Sequence, residues 1–164
     1  MHSHKEKIKS EKEIIEIVKK AKQKKKTIVT TNGSFDIFHY GHIKLFEEAK
    51  QQGDILIVGI NSDASVKAYK GPDRPINPEN ARAGLVASLQ YVDYVFLFDD
   101  TTPNRWLELI APDIHCNSSE YGENCVERPT LDKLGAKLHL VYRNENDGLS
   151  TTEMIQKIIR IYGK

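Results

Sequence analysis

Short apolar runs rich in β-branched residues alternate along the chain with longer stretches of helical patterning, and this alternation limits the fold more than any other feature. Five such runs occur, at residues 27–31, 55–60, 94–98, 113–117 and 137–142. Buried strands that alternate with helices form parallel βαβ units, whose crossovers are right-handed. The sequence therefore predicts an α/β fold, in which helices cover both faces of a doubly wound, five-stranded parallel sheet.

The first 26 residues are rich in lysine but also carry the hydrophobic pattern of a helix. Ten lysines and four glutamates lie between residues 5 and 26, and no aromatic residue is available there to stack on a nucleic-acid base. Four aliphatic residues have the spacing of one helical face: Ile14, Ile17, Val18 and Ala21. We expect residues 1–26 to form an amphipathic helical extension of a domain over residues 27–164, with a basic nucleic-acid arm as the alternative.

The charge balance and the lack of long apolar runs exclude several classes of protein. Lys and Arg number 24 against 23 Asp and Glu, so the net charge of +1 gives no general attraction to nucleic acids or acidic membranes. No apolar run approaches the ~18 residues of a membrane span, and the N-terminus lacks the apolar core of a secretory signal. The two cysteines do not form a Cys-x-x-Cys pair. We expect a cytoplasmic protein without nucleic-acid or membrane partners, whose anion site is local.

The segment after the first predicted strand, Thr31 to Asp36, has the composition of a phosphate-binding turn. Ligands of open α/β sheets bind beyond the carboxyl ends of the strands. Gly33 would let the backbone turn and approach a ligand, and successive amides there can cradle phosphate oxygens. The chain has neither a P-loop nor a Gly-x-Gly-x-x-Gly motif, so neither of those two nucleotide-binding patterns explains the turn.

Two histidines three residues apart, His39 and His42, lie where the next helix should begin. This spacing places both rings on one side of the helix, beside the positive end of its dipole, so both can donate to one phosphate. Gly41 between them leaves room for a nucleotide against the backbone. Two alternatives remain at this point: a metal site with Asp36 as a third ligand, or two histidines satisfied by carbonyls.

Three longer segments together resemble the cytidylyltransferase-like nucleotidyltransferase superfamily. Residues 32–54, NGSFDIFHYGHIKLFEEAKQQGD, contain its His-x-Gly-His signature. Residues 58–103 are similar to the adenylyltransferase branch of ADP-heptose synthesis, and DGLSTTEMIQKI (147–158) is similar to the closing Ser/Thr-rich motif. The resemblance runs from Thr27 to Tyr162 and implies a Rossmann-like fold.

The resemblance implies a reaction that the residues can support. A nucleoside monophosphate would pass from an NTP, with ATP expected, to a sugar 1-phosphate, with heptose 1-phosphate expected, and pyrophosphate would leave. The attacking phosphate, with a second pKa of about 6, is already largely ionised near neutral pH and needs no general base. Mg²⁺ as cofactor, a homodimer and a place in lipopolysaccharide synthesis are also implied. The alternatives are a CTP-using enzyme of the glycerol-3-phosphate cytidylyltransferase type and a catalytically idle nucleotide-binding module.

The resemblance also assigns roles to individual residues. The catalytic group, which would neutralise the triphosphate and the incoming phosphate, comprises His39, His42, Lys70 and Arg82. The nucleotide-binding group comprises Asn32, Gly33, Ser34, Phe35, Gly41, Asn117, Ser119, Glu120, Ser150, Thr151 and Thr152. The substrate group comprises Asp36, Asn61, Asp63 and Arg143, and no residue is assigned as a direct metal ligand.

The chain departs from the resembling enzymes after the fourth predicted strand. Those enzymes usually carry a Lys-Gly-Gly-Asp-Tyr-like segment, whereas this chain has Asn-Ser-Ser-Glu-Tyr at residues 117–121. The lysine is missing, but amide and hydroxyl groups can still read the edge of a base. The sequence also has no counterpart of a sugar-kinase domain, so we expect a stand-alone transferase.

Overall fold

A five-stranded parallel sheet forms the centre of the computed structural model, which describes residues 3–142 and 150–163. The strands are β1 Ile28–Gly33, β2 Ile55–Asn61, β3 Tyr94–Phe98, β4 Ile114–Ser118 and β5 Lys137–Val141. Their order is β3-β2-β1-β4-β5, and every adjacent pair is parallel. Each strand lies within two residues of a predicted run, so the predicted α/β sheet is confirmed.

Eight α-helices occur in the described residues, and a 3₁₀ turn covers Ser119–Tyr121. The helices are α1 His4–Lys7, α2 Glu11–Gln23, α3 Tyr40–Gln51, α4 Asp63–Lys70, α5 Glu79–Ala87, α6 Asn104–Ile110, α7 Arg128–Leu134 and α8 Thr151–Tyr162. None of the helices in this part of the chain is long and apolar enough to cross a lipid bilayer.

The helices pack on both faces of the sheet. Leu56, Val58 and Ile60 of β2 belong to one buried cluster, which α3 and α5 cover, while Ile57 belongs to the cluster on the other face. Trp106 of α6 is fully buried in that second cluster and is therefore a core residue. The alternation of β2 side chains between the two clusters shows that the sheet is doubly wound.

The N-terminal segment packs against the edge of the sheet and one of its faces. Ile14, Val18 and Ala21 of α2 are buried in the second cluster, so the apolar face of this helix is part of the core. Before it, the backbone N–H of Lys9 donates to the carbonyl of Val95 in β3 at 2.8 Å. The sheet edge at β3 is therefore partly covered.

The strand order places a crevice between β1 and β4. The connection from β1 leads to β2 on one side, and β4 lies on the other, so the winding direction reverses between them. These two strands pair only at Val29–Ile114 and Thr30–His115, although both continue further. Their carboxyl ends thus separate, which opens the kind of site where open α/β sheets bind ligands.

Candidate active site

A cavity of about 670 Å³ lies at the carboxyl ends of β1 and β4. The end of β1, the start of α3, the 3₁₀ turn after β4, the end of β5 and the start of α8 form its walls. Its size suits a small-molecule ligand. The sequence predicted a local anion site at this edge of the sheet, and the cavity lies there.

Most of the predicted site residues line this cavity. They are Asn32, Gly33, Ser34, Phe35, Asp36, His39, Gly41, His42, Lys70, Asn117, Glu120, Ser150, Thr151 and Thr152. Four others, Asn61, Asp63, Arg82 and Ser119, do not line it. Arg143 lies outside the described residues.

The two histidines stand together at the N-terminus of α3. His39 is the N-cap residue, and its ring stacks on that of His42 with 3.8 Å between the centroids and 27° between the planes. The backbone N–H of His39 donates to Nδ1 of His42 at 3.3 Å. Because Nδ1 accepts, Nε2 is the nitrogen of neutral His42 that carries the proton and can donate. The pair therefore suits an anion at the positive end of a helix.

The turn before the histidines differs from the sequence-based expectation in one respect. The left-handed residue is Phe35, with a φ of 47°, and not Gly33. A Cβ at position 33 would approach Cζ of Phe35 to 3.1 Å, so Gly33 instead provides room for the Phe35 ring. That ring contacts His42 edge-on, with 5.2 Å between centroids, and also packs on Phe46. Packing in the core thus offsets the backbone strain, about 1–2 kcal/mol, and orients the His42 imidazole.

Lys70 enters the cavity from the end of α4. Its Nζ donates to Oγ of Ser34 at 2.9 Å. Partial desolvation and the positive charge of Arg74 lower the pKa of Lys70, while Asp36 acts in the opposite direction. An anion that enters the cavity would stabilise the protonated amine of Lys70, because it offsets the repulsion from Arg74.

Asp36 is buried and holds the loop that follows α4. Its carboxylate accepts from the backbone N–H groups of Ile76, at 3.0 Å, and Asn77, at 2.8 Å. A guanidinium nitrogen of Arg74, which also lines the cavity, lies 3.4 Å from Oδ2. Asp36 therefore orders the loop, one of the two roles that an aspartate at such a turn can take.

Arg82 is 2% exposed, and its guanidinium contacts protein groups instead of the cavity. The donors reach the carbonyls of Ser34, Asn61 and Asn77 at 2.5, 2.9 and 2.9 Å. A further nitrogen lies 2.8 Å from Oδ1 of Asp63. The resemblance assigned this residue to the phosphates, but here its donors are used to join the ends of β1 and β2 to the loop.

The start of α8 forms the opposite wall of the cavity. Ser150 and Glu153 make a capping box, since Ser150 N–H donates to Oε2 of Glu153 at 2.6 Å and Glu153 N–H to Oγ of Ser150 at 3.3 Å. The hydroxyl of Thr151 donates to the carbonyl of Ile37 at 3.4 Å, close to the histidines. Two helix N-termini, of α3 and α8, thus border the cavity.

Several residues that line the cavity were not assigned from the sequence. Lys44, on the first turns of α3, adds a third cation to Lys70 and Arg74. Tyr121 and Tyr142 are mostly exposed and follow β4 and β5. The sequence could have indicated both tyrosines, because each follows a predicted strand and side chains in that position meet at the carboxyl edge of the sheet.

The sequence profile of the family described as Cytidylyltransferase-like matches residues 30–157. The chain belongs to the cytidylyltransferase-like family. The match covers β1 to β5 and the start of α8, and therefore every wall of the cavity. The resemblance inferred from the three motifs is thereby confirmed.

Relatives of this cytidylyltransferase-like chain include the bifunctional protein HldE of Campylobacter jejuni subsp. doylei, 44% identical over 152 residues, and that of Geobacter metallireducens, 42% identical over 149 residues. The alignments cover 93% and 90% of this chain but only 31% and 30% of those proteins. The chain thus spans about a third of the length of these relatives.

Two solved structures share the fold. The lipopolysaccharide core biosynthesis protein of Thermoplasma volcanium is 30% identical, with a TM-score of 0.59, over 74% of this chain and 99% of that one. The pantoate-beta-alanine ligase of Francisella tularensis gives a TM-score of 0.62 over 96% of this chain and 79% of its own, but at 17% identity it shows the fold alone.

Proposed function

We propose that the chain is a nucleotidyltransferase, which transfers a nucleoside monophosphate from an NTP to a sugar 1-phosphate and releases pyrophosphate. One observation carries the proposal: the paired imidazoles of His39 and His42 lie in the same cavity as Lys70 and the first residues of α8. These groups surround a space that suits a triphosphate. The family assignment supports the same class of reaction.

The chemistry requires positioning and charge neutralisation more than a base. The incoming phosphate oxygen attacks the α-phosphorus, the bond to the β-phosphate oxygen breaks, and pyrophosphate carries away the charge. Nε2 of His42 and the ring of His39 would donate to oxygens of the α-phosphate as charge shifts. The first amides of α8, with Thr151 and Thr152, would hold the departing pyrophosphate. Preorganised donors of this kind usually supply the largest share of the rate enhancement.

ATP and heptose 1-phosphate are the substrates we infer within this class, for ADP-heptose and lipopolysaccharide synthesis in the cytoplasm. The motifs of residues 58–103 and the HldE relatives support the adenylyltransferase branch. The similarity to the lipopolysaccharide core biosynthesis protein of Thermoplasma volcanium supports a role in the cell envelope.

Mg²⁺ is the cofactor we infer, carried by the phosphates of the NTP. Among the described residues, no group of three or more His, Cys, Asp or Glu side chains is arranged to hold a metal ion. Asp36 lines the cavity, but backbone amides and Arg74 engage its carboxylate. These residues fit a hydrated Mg²⁺ bound through substrate phosphates better than a protein cage, which is the usual mode for this ion. When bound, the ion would neutralise charge on the phosphates.

The test is release of pyrophosphate over a matrix of four NTPs and several acceptors, among them heptose 1-phosphate and glycerol 3-phosphate. We expect turnover with ATP and heptose 1-phosphate, and loss of turnover when Mg²⁺ is chelated. Turnover with CTP and glycerol 3-phosphate would favour the alternative branch. Binding of NTPs without turnover for any pair would favour the idle module.

We also propose a homodimer. On α8, Ile158, Ile159, Ile161 and Tyr162 are each more than half exposed, and no residue of this helix is buried. An amphipathic helix normally buries its apolar face, and exposed contiguous apolar surface is typical of interfaces. A second copy on this face would also hold the N-terminus of α8 in the cavity.

A further inference from the structure

A buried carboxylate stands behind the cavity wall at the end of β4. Glu127 is 4% exposed and immediately precedes α7, yet its side chain does not cap that helix. Its Oε2 accepts from Nδ2 of Asn117 at 3.4 Å, and Asn117 lines the cavity. Burying a carboxylate is costly unless hydrogen bonds satisfy it, so Asn117 and Glu127 form a mutually dependent pair.

Cys125 is buried beside this pair. Burial and the neighbouring carboxyl group of Glu127 raise the pKa of Cys125, so the thiol stays protonated. The nitrogen end of the Asn117 amide is turned toward Glu127, as its hydrogen bond to Oε2 shows.

The oxygen end of the Asn117 amide is fixed by the backbone. The N–H of Ser118 donates to Oδ1 of Asn117 at 3.0 Å. A backbone N–H can only donate, so the Asn117 atom that it contacts is the oxygen, and the nitrogen faces Oε2 of Glu127. Oδ1 has a second lone pair, and Asn117 thus offers a fixed acceptor at the cavity wall.

We propose that Glu127 is a positioning residue that locks the Asn117 amide, so that the cavity selects nucleotides whose base carries an exocyclic amine. This inference rests on the proposed function. An acceptor oxygen pairs with N6 of adenine or N4 of cytosine, whereas it repels the carbonyl oxygen at the equivalent position of guanine or uracil. The site should therefore use ATP or CTP in preference to GTP or UTP.

Replacement of Glu127 by glutamine tests the lock, because an amide at this position can donate to Asn117 as well as accept from it, which leaves only the Ser118 N–H to oppose the flipped orientation. The measurement is kcat/KM for pyrophosphate release with each of the four NTPs, for wild type and for Glu127→Gln. One ratio summarises the base preference: kcat/KM for the better of ATP and CTP, divided by kcat/KM for the better of GTP and UTP. We expect this ratio to fall roughly ten-fold or more in Glu127→Gln. A purely structural role would lower all four values together and leave the ratio unchanged.

Two further variants control the experiment. Glu123→Gln removes an exposed carboxylate from the same segment, and its ratio should equal that of wild type. Asn117→Ala removes the acceptor itself and should lower the ratio even if Glu127→Gln fails to fold. A wild-type enzyme without base preference, or an unchanged ratio in the variants that fold, would overturn the proposal.

A failure of the proposed function would give a different experimental result from a failure of the lock. If wild type turns over no NTP, that function is wrong, and the base preference is then measured from equilibrium binding of the four NTPs. Preferential binding of ATP or CTP that Glu127→Gln abolishes would still support the lock, and equal binding of all four would reject it.

Discussion

The pairing of His39 and His42 is the residue-scale feature on which the proposed chemistry depends. Their rings lie 3.8 Å apart, and the backbone of His39 fixes the donating nitrogen of His42. The ring of His42 also contacts Phe35 and Phe38, both with 5.2 Å between centroids. The imidazole is thus held by packing as well as by hydrogen bonding, which is what a preorganised electrostatic site requires.

His42→Ala should lower kcat by about 10²-fold or more while changing the Kd for the NTP only modestly. The reason is that its donor matters most when charge shifts on the α-phosphate. His139→Ala, which removes an imidazole that pairs with Glu48 outside the cavity, is the matched control. Steady-state kinetics and calorimetric NTP binding make the comparison, and equal, modest losses in kcat and affinity would contradict this role.

His115 makes the stability of the fold depend on pH. Full burial lowers its pKa to about 3, and its Nδ1 shares a hydrogen bond with Oγ1 of Thr30 at 2.9 Å. In the unfolded chain the pKa is about 6.5, so between these values only the unfolded state takes up the proton. The free energy of unfolding is therefore independent of His115 above about pH 6.5. It falls on acidification, by up to about 1.4 kcal/mol per pH unit.

Replacement of His115 by glutamine should flatten this acid dependence. Urea unfolding of wild type and His115→Gln at pH 7, 5.5 and 4 gives the comparison. We expect the free energy of unfolding of wild type to fall more steeply between pH 6.5 and 4. Parallel pH profiles for the two proteins would show that His115 is not the source of the dependence.

At the scale of elements, Arg82 joins the parts that carry the site. Its guanidinium links the ends of β1 and β2 with the loop that precedes α5. Asp36 holds the same loop through Ile76 and Asn77. The positions of Ser34 and of Arg74 at the cavity therefore depend on these two buried charges.

Arg82→Met should lower the free energy of unfolding by about 3 kcal/mol, because it leaves three carbonyls without a donor and Asp63 without its cation. Arg128→Met, which removes an exposed i,i+4 pair with Asp132, should cost about 0.5 kcal/mol or less. Urea denaturation of both variants measures the difference. Similar small effects would indicate that Arg82 does not have this joining role.

Elements were predictable from the sequence where burial alone determines them. Apolar β-branched runs predicted the strands to within two residues, and helical spacing predicted the apolar face of α2. The left-handed conformation of Phe35 was not predictable, because local preference opposes it and only the packing of the ring stabilises it. The contacts of Arg82 were also missed, because a sequence does not show whether a guanidinium faces a ligand or backbone carbonyls.

At the scale of the whole molecule, α8 would connect the proposed dimer to the active site. Its first residues line the cavity, while the apolar side chains further along the helix are exposed. Other helices bury their apolar faces against the sheet, as α2 does with Ile14 and Val18. A second copy on α8 would complete the burial in the same way.

Ile159→Glu should convert the proposed dimer into a monomer, because a charge within an apolar interface cannot be solvated there. Lys157→Glu, which changes an exposed charge on the polar face of α8, should leave the assembly intact. Light scattering coupled to size-exclusion chromatography gives the mass of each variant. A wild type that is monomeric at high concentration would refute this use of the helix.

The most direct test of the central claim is a crystal structure of the protein with a non-hydrolysable NTP analogue and Mg²⁺. We expect imidazole nitrogens of His39 and His42 within hydrogen-bond distance, about 3 Å, of α-phosphate oxygens. The amides at the start of α8 should contact the terminal phosphates. A triphosphate bound in the cavity with both imidazoles out of contact, or bound elsewhere on the protein, would contradict the proposed chemistry.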